Sequence, residues 1–204
     1  MADLDYRPTV NESLVSRILE KTVRRSSAVD TESLCLIAGS KCFSIRADIH
    51  VLAYDGNLLD AACIALITAL QHFRRPDVTV EGDNVTVWNI REKEPVKLSL
   101  FHHPLCVSFS YYDGGDIVLV DATGAEEKVR EGEVVVSMNK FGEVCQVAKY
   151  GGITVDAVTL LGWTQMAHEK VKSMHDFIQE KLTEDERRRN VGDLIAELSA
   201  MNDR

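Results

Sequence analysis

The spacing of apolar residues near the start of the chain predicts an amphipathic helix from Asn11 to about Ser26. Four apolar side chains recur at three- and four-residue intervals on one face: Val15, Ile18, Leu19 and Val23. Asn11 is a suitable N-cap, and Glu12 stands in the first turn, where the helix dipole favours a negative charge. This helix is therefore expected to pack its apolar face against a folded domain.

The next segment has the two-residue alternation that is typical of strands. One strand is predicted from Glu32 to Ala38 and a second from Cys42 to Tyr54, joined by Gly39-Ser40. In the second strand apolar side chains occupy every other position: Phe43, Ile45, Ala47, Ile49 and Val51. Because polar residues fill the positions between them, the pattern predicts a sheet that is covered on one face.

A helix that is apolar on nearly every side follows, from Leu58 to Phe73. Asp55-Gly56-Asn57 gives a turn signal before it, and Pro76 prevents its continuation. A helix with this composition is buried on most of its sides. We therefore expect it near the centre of the domain.

The second half of the chain reads as short strands followed by helices. Strands are predicted at Val78–Val80, Val85–Trp88, Leu105–Tyr111, Ile117–Val120, Glu133–Met138 and Glu143–Lys149. A long helix is then predicted from about Thr154 to Leu182. A separate helix is predicted for the tail, because Thr183 and Glu186 match a capping box. Apolar residues follow it at helical spacing: Val191, Leu194, Ile195 and Leu198.

This order of elements predicts an α+β fold in which helices pack on a mixed sheet, with antiparallel hairpins dominating. The length of 204 residues fits one domain with a tail. We divide the chain into a flexible lead (1–10), a folded domain (11–182) and a C-terminal helical tail (183–204).

Composition and charge exclude several classes of protein. The 45% apolar fraction suits a soluble domain with a sizeable core, and no apolar run approaches the ~20 residues that span a bilayer. The first residues lack the basic and apolar regions of a signal peptide. A net charge of −9 argues against a surface that binds phosphate everywhere, so any contact with nucleic acid needs a local basic patch. The five cysteines include no CxxC pair and lie mostly in apolar runs, which favours reduced thiols in an intracellular protein over a metal or disulfide framework.

The clearest candidate binding surface is a basic stripe on the first helix, largely opposite its apolar face. It is formed by Arg17, Lys21, Arg24 and Arg25. Such a stripe can neutralise several phosphates, although a solvated helix face is the more frequent meaning of the pattern. Arg74 and Arg75 are weaker candidates, because cations at the end of a helix are favoured by its dipole without any ligand.

Signals for catalytic chemistry are weak. Asp121, Glu126 and Glu127 follow a strand and have the chemistry to hold Mg²⁺ or act as a general acid, but such loops are more often plain surface. His102 and His103 have no Cys or carboxylate at ligand spacing, so neither a metal site nor a cofactor is predicted. The motifs GxSxG, GxxxxGK[ST] and GxGxxG are absent from the sequence.

Several stretches carry a resemblance to a known family. They read DTESLC at 30–35, GSKC at 39–42, IRAD at 45–48, DGNLLDAA at 55–62, HFRRPD at 72–77, PLCV at 104–107 and LVDAT at 119–123. Together they resemble the RNase PH-like subunits of the eukaryotic RNA exosome core, over roughly residues 12–182. They are specific to the non-catalytic branch of that family.

The resemblance implies a fold and a set of partners. The expected fold is part of an RNase PH-like (ribosomal protein S5 domain 2-like) domain, N-terminally incomplete because family members begin with a further helix and several strands. Six such subunits form a ring around a channel through which single-stranded RNA is threaded, and Arg17, Arg24 and Arg25 would border that channel. The implied partners are the other RNase PH-like subunits, especially ribosomal RNA-processing protein 41, the cap subunits and single-stranded RNA, with no membrane.

The resemblance also implies that this chain has lost catalytic residues. Active relatives carry two aspartates six residues apart, and here Asp121 fills the first position but Glu127 the second. Their phosphate-binding turn corresponds here to residues 56–61, where Asp60 would repel phosphate.

The expected function is therefore that of a non-catalytic structural and RNA-path subunit. It would support 3'-to-5' RNA processing and degradation, including rRNA maturation and mRNA turnover, in the nucleus, nucleolus and cytoplasm. Partner subunits would supply the exoribonuclease activity. Two alternatives remain open: a phosphate-dependent 3'-to-5' exoribonuclease, and a truncated isoform that does not assemble.

Overall fold

The computed structural model describes residues 10–89 and 91–202, with side chains described from 12 to 89 and from 91 to 189. In this part of the chain the elements are α1 (Val10–Arg25), β1 (Cys35–Ile37), β2 (Lys41–Cys42), α2 (Leu58–His72), β3 (Arg74–Arg75), β4 (Val78–Glu81), β5 (Asn84–Val87), β6 (Val96–Lys97), β7 (Leu105–Tyr112), β8 (Ile117–Val120), α3 (Gly124–Val129), β9 (Gly132–Met138), β10 (Val144–Tyr150) and α4 (Ala157–Asn202). The predicted flexible lead lies outside the described residues except for Val10, where α1 begins.

A four-stranded sheet in the order β10-β9-β7-β8 forms the centre of the fold. The strand pairs β1-β2, β3-β6 and β4-β5 form three separate two-stranded sheets. The predicted α+β class is confirmed, and each of the six strands predicted after residue 77 appears within two residues of its expected position. The prediction of a mixed sheet is corrected, because every strand pair among the described residues is antiparallel.

Strand β7 is buried on both faces, which places it between two helical layers. Phe109 and Tyr111 on one face stack against Trp163 of α4, with ring centroids 5.9 and 5.7 Å apart. Cys106 and Ser108 point to the other face, because successive side chains of a strand alternate. There Cys106 meets α1 and Ser108 meets α2. The core therefore lies on both sides of one strand.

Helices α1 and α2 follow the predicted apolar pattern closely. Ile18 and Leu19 are buried, and Val15 and Val23 pack against the core beside them. Helix α2 buries six of its residues: Leu59, Asp60, Ala62, Cys63, Ile67 and Leu70. It is less enclosed than predicted, however, because a stripe of small residues at Ala61, Ala65 and Ala69 is exposed.

The strand predicted from Cys42 to Tyr54 does not form beyond Cys42, so this prediction was wrong for the rest of the segment. Strand β2 ends at Cys42, and the chain from Phe43 to Asn57 has no regular element. Its apolar side chains are open to solvent, with Val51 52% and Leu52 98% exposed. The reason is that no described strand pairs with this segment, and an unpaired extended chain leaves its backbone groups to water.

The first predicted strand is shorter than expected for a local reason. A 3-10 turn at Glu32–Leu34 takes its beginning, and β1 starts only at Cys35. The Asp30 carboxylate accepts hydrogen bonds from the backbone N–H groups of Glu32 and Ser33, at 3.1 and 3.2 Å. Such a side-chain turn competes with the hydrogen bonds of a strand.

The separate tail helix was also wrong, because α4 runs without a break from Ala157 to Asn202. Thr183 does not cap a new helix: its hydroxyl donates to the Gln179 carbonyl at 2.8 Å, one turn earlier. Glu184 forms ion pairs with Lys181 at 3.1 Å and Arg188 at 2.6 Å across the expected boundary. Such pairs support helix continuity. The apolar side chains predicted at 191–198 lie outside the described side chains. No helix in the described part of the chain is long and apolar enough to span a membrane.

Candidate nucleic-acid interface and carboxylate site

The basic stripe of α1 lies on the surface, as its sequence predicts. Arg17, Arg24 and Arg25 are exposed and Lys21 is half-buried. Arg24 donates to the Glu20 carboxylate at 2.7 Å, one turn away. The other three cations form no ion pair with any residue whose side chain the structure describes.

Packing of α1 explains why the stripe faces outward. Ile18, Leu19 and Thr22 are buried, and α1 contacts α2 and β10 through this side. At the end of β10, burial raises the pKa of Tyr150 and the positive charge of Arg17 opposes that increase. The stripe therefore begins beside the outer strand of the sheet.

Arg74 and Arg75 have structural contacts that the α1 stripe lacks. The Arg74 guanidinium donates to the carbonyls of Gln71, His72 and Phe73, at 3.2, 2.9 and 3.2 Å, and so closes the end of α2. Arg74 also lines a cleft of about 740 Å³ between the ends of α2 and α4. In this cleft its guanidinium lies 3.9 Å from the Glu186 carboxylate. Arg75 stacks over the ring of Phe43 at 5.1 Å. The geometry thus favours the structural interpretation of this pair.

Asn57 brings together Asp121 and Glu127, the two positions that the family resemblance assigns to catalytic aspartates. Its side-chain amide donates to Asp121 Oδ1 at 3.0 Å, and its backbone N–H donates to Glu127 Oε1 at 2.8 Å. Asn57 precedes α2 in a left-handed conformation, with φ at 45°, and Asp121 follows β8 with φ at 62°. Two turns from distant parts of the sequence therefore meet at this site.

Gly56 allows that close approach. Its φ is +99°, and a Cβ atom there would lie 2.2 Å from the Ala122 carbonyl oxygen. The backbone N–H of Gly124 donates to the Asp55 carbonyl at 3.0 Å across the same contact. Only glycine fits this position without moving one of the two turns.

Glu127 is held by two further side chains that the sequence does not single out. The Tyr54 hydroxyl donates to Glu127 Oε2 at 2.6 Å, and the Arg130 guanidinium lies 3.7 Å from Oε1. Arg130 also pairs with Glu133 at 2.9 Å and donates to Ser110 at 3.2 Å. The hydrogen bond to Glu127 is the main cause that raises the pKa of Tyr54. Glu127 is thus a structural acceptor in the described geometry.

Asp60 is buried in the layer between α2 and the sheet. Its two carboxylate oxygens accept hydrogen bonds from the backbone N–H and the hydroxyl of Ser108, at 2.8 and 2.7 Å. Burial raises the pKa of Asp60 to about 6, although the bonds from Ser108 and Asn57 act in the opposite direction. Both oxygens are therefore used inside the protein. The sequence does not single out Ser108 as the partner, because strand β7 carries a second serine, Ser110, two residues later.

Glu126 and His103, two of the remaining acidic and histidine candidates, have structural contacts. Glu126 completes a capping box with Thr123 at the start of α3, and hydrogen bonds from Thr123 lower its pKa. His103 packs edge-to-face on His175, with ring centroids 5.7 Å apart, and burial lowers the pKa of both. No cluster of three or more His, Cys, Asp or Glu with metal-binding geometry occurs among the described residues.

Comparison with known proteins decides the family. The model of the 3' exoribonuclease family, domain 1, matches residues 4–76, and the model of domain 2 of the same family matches residues 102–170. The chain belongs to the 3' exoribonuclease (RNase PH) family.

Within this family the chain is similar to proteins named exosome complex component RRP45. It is 47% identical over 183 residues to the one from Schizosaccharomyces pombe, covering 90% of this chain and 63% of that relative. For Saccharomyces cerevisiae the identity is 44% over 192 residues, covering 88% and 63%. The human relative is 44% identical over 178 residues, covering 87% and 40%. The chain thus spans less than two thirds of the length of these relatives. They confirm the resemblance to the RNase PH-like exosome subunits, among which the sequence resembles ribosomal RNA-processing protein 45.

Two solved archaeal exosome structures are similar in fold. The Archaeoglobus fulgidus exosome with RNA bound to the active site matches with a TM-score of 0.70 at 23% identity, over 84% of this chain and 63% of that one. An archaeal exosome core matches with a TM-score of 0.70 at 24% identity, over 86% and 66%. These likenesses confirm the predicted RNase PH-like fold.

Proposed function

We propose that this chain is a structural and RNA-path subunit of an RNA exosome ring, without catalytic activity of its own. One observation carries the proposal: among the described residues, Asp121 and Glu127 accept hydrogen bonds from the protein itself, whereas three of the four cations of the α1 stripe form no ion pair. The names of its relatives, all exosome components, support the assignment to that complex.

The internal network at the carboxylate site argues against phosphorolysis. An attacking phosphate needs an open pocket with positive charge or free backbone N–H groups. Here the N–H of Asn57 is already used by Glu127, and the buried Asp60 adds negative charge to the same turn. Opening the site would break the bonds to Glu127 and leave a partly buried carboxylate unpaired, which is costly.

The α1 stripe supports contact with an RNA backbone. Exposed Arg and Lys side chains bind phosphates through charge and hydrogen bonds, and such contacts do not read base sequence. With a net charge of −9, the rest of the surface repels RNA, so binding would concentrate at this stripe. Binding of this kind weakens as salt rises, because it releases counterions.

The partners that follow from this proposal are the other RNase PH-like subunits of the ring, above all ribosomal RNA-processing protein 41, together with cap subunits and single-stranded RNA. The complex would act in 3'-to-5' processing and degradation of RNA, including rRNA maturation, in the nucleus, nucleolus and cytoplasm. Partner subunits would supply the exoribonuclease activity.

The proposal is tested in two steps. The chain is first co-expressed with ribosomal RNA-processing protein 41 and analysed by size-exclusion chromatography, where co-elution as a one-to-one pair is expected. The pair is then incubated with RNA and inorganic phosphate, with Asp121→Ala as the comparison. Separate elution contradicts the assembly role, and release of nucleoside diphosphates that Asp121→Ala abolishes contradicts the non-catalytic role.

The RNA path is tested by charge reversal on α1. We expect Arg17→Glu with Arg24→Glu to weaken single-stranded RNA binding by the assembled complex at least tenfold and to flatten its salt dependence, because two phosphate contacts of a strand contribute a slope of about 1.4 in log K against log salt. Lys170→Glu with Lys172→Glu, on the exposed side of α4, makes the same change in net charge and should leave binding unaltered. Equal losses in both variants would show that only net charge matters.

A further inference from the structure

Cys35 and Cys42 face each other across the β1–β2 hairpin, although they are not spaced as a CxxC motif. The strands are antiparallel, and Cys35 is the direct partner of Cys42 in their register. Direct partners in an antiparallel pair place their side chains on the same face. Both residues are exposed and both are free thiols.

The hydrogen bonds of the hairpin define the spacing of the pair. The Phe43 N–H donates to the Leu34 carbonyl at 2.8 Å, so the hydrogen bond between the strands falls at residues 34 and 43, and Cys35 and Cys42 are the non-hydrogen-bonded pair beside it. Facing Cα atoms in such a non-hydrogen-bonded pair lie roughly 4.5 Å apart, with their side chains close together. This separation falls within the range of about 4.4–6.8 Å that a disulfide requires.

The other three cysteines lie in different surroundings. Cys63 and Cys106 are buried in the core between α1, α2 and β7, and Cys145 is half-buried on β10. The hydrogen bond with Cys106, together with burial, raises the pKa of the Cys63 thiol, and burial raises the pKa of the Cys145 thiol, which lowers the reactivity of both at neutral pH. The hairpin pair is therefore the accessible dithiol among the described residues.

We propose that Cys35 and Cys42 form a reversible disulfide when the protein meets a peroxide. One thiolate attacks the peroxide O–O bond and becomes a sulfenic acid, releasing water. The second thiol displaces the sulfenic hydroxyl as a second water, and one S–S bond replaces two S–H bonds. Two electrons pass from the sulfurs to the peroxide. Under reducing conditions the pair stays a dithiol, since thiols of the glutathione class reverse the bond by exchange.

The disulfide would cross-link a hairpin that also contacts the β4–β5 turn and Arg75. Lys41 donates from Nζ to the Asp83 carbonyl at 3.1 Å, which links the hairpin to the turn between β4 and β5. Phe43, directly after Cys42, carries Arg75 over its ring. Oxidation would therefore fix the start of the exposed segment 43–57, which leads to the carboxylate site, without depending on the function proposed for that site.

The sequence itself provides a direct test, because trypsin cleaves after Lys41, between the two cysteines. The reduced full chain is treated with one equivalent of hydrogen peroxide, the remaining thiols are alkylated, and the protein is digested without reduction. We expect peptides 26–41 and 42–46 to appear as one species that has lost two hydrogens (about 2 Da), with two of the five thiols lost from the titre. Dithiothreitol should separate the peptides.

Two variants and an isotope mixture complete the test. Cys42→Ser should abolish the linked species, and Cys145→Ser should retain it. When light and ¹⁵N-labelled chains are mixed before oxidation, a bond within one molecule gives only light–light and heavy–heavy pairs. The proposal is overturned if both peptides stay separate and alkylated after peroxide, if Cys35 links instead to Cys145, or if light–heavy pairs form.

Discussion

At the scale of single residues, the carboxylate site shows how two acidic side chains are bound by the same neighbouring residue. Asn57 supplies a donor to each of Asp121 and Glu127, and Tyr54 adds a third bond to Glu127. A carboxylate that accepts such bonds is stabilised where it stands and exposes fewer lone pairs to a ligand. The site has therefore become part of the fold's own hydrogen-bonding network.

Asp60 allows a prediction about pH, because burial raises its folded-state pKa to about 6, above its ordinary value of 3.8. The folded protein therefore binds this proton more tightly than the unfolded chain, and this contribution to stability is lost as pH rises from about 4 through 6. At pH 7.5 the buried charge costs on the order of 2–3 kcal/mol. Asp60→Asn removes the charge, and Asn can still accept from the Ser108 N–H and donate to its hydroxyl.

We therefore expect Asp60→Asn to be more stable than the parent chain at pH 7.5, with the difference shrinking as pH falls toward 5. Urea unfolding of both proteins across this range measures it. Asp60→Ala is the control: it leaves the Ser108 N–H without a partner and should destabilise by about 1–3 kcal/mol. A difference between parent and Asp60→Asn that does not change with pH would contradict the raised pKa.

At the scale of elements, two threonines with the same sequence signature behave differently. Thr123 and Glu126 form a capping box at α3, with the Glu126 N–H bonded to the Thr123 hydroxyl and the Thr123 N–H bonded to the Glu126 carboxylate. Thr183 and Glu186 match the same pattern but lie inside α4, where Glu186 pairs with Lys97 at 2.7 Å. The motif signals a helix start only where the preceding residues are not already helical.

This contrast predicts opposite effects of the same substitution. Thr123→Ala removes a cap and should destabilise the protein by about 1 kcal/mol in urea unfolding. Thr183→Ala removes a hydroxyl that bonds one turn back within a helix, and alanine has the higher helix propensity, so stability should be unchanged or rise by a few tenths of a kcal/mol. A loss of about 1 kcal/mol at Thr183 would instead indicate a helix boundary there.

Elements in which apolar residues repeat regularly could be predicted from the sequence. Very short elements, and contacts between segments far apart in the chain, could not. Helix α1 was placed within one residue because its apolar positions repeat over four turns. Helix α3 was missed because its six residues contain no apolar stripe, and β3 and β6 have only two residues each. At the site, Asp60, Asp121 and Glu127 were identified, but Tyr54 and Arg130 were not. Their roles arise from contacts between segments far apart in sequence, which no local pattern encodes.

At the scale of the whole molecule, the α1 stripe is a small positive region on a protein of net charge −9. Segment 43–54 is a second exposed surface, and it is apolar. Four of its side chains are each at least 42% exposed: Ile49, Val51, Leu52 and Tyr54. An extended, alternating and unpaired segment can pair with another chain through its free backbone groups. The two surfaces share no residue, so self-association and RNA binding should respond to different substitutions.

Segment 43–54 therefore predicts concentration-dependent association of the isolated chain. Val51→Lys with Leu52→Lys should shift the molecular mass from light scattering toward that of the monomer, because two charges disfavour pairing at an edge. The unfolding free energy should change by less than about 0.5 kcal/mol, since exposed side chains contribute little to folding. Ser40→Lys with Thr154→Lys adds the same charge at exposed polar positions and should leave association unchanged. If both double variants dissociate equally, general charge repulsion is responsible; if neither does, association occurs through another surface.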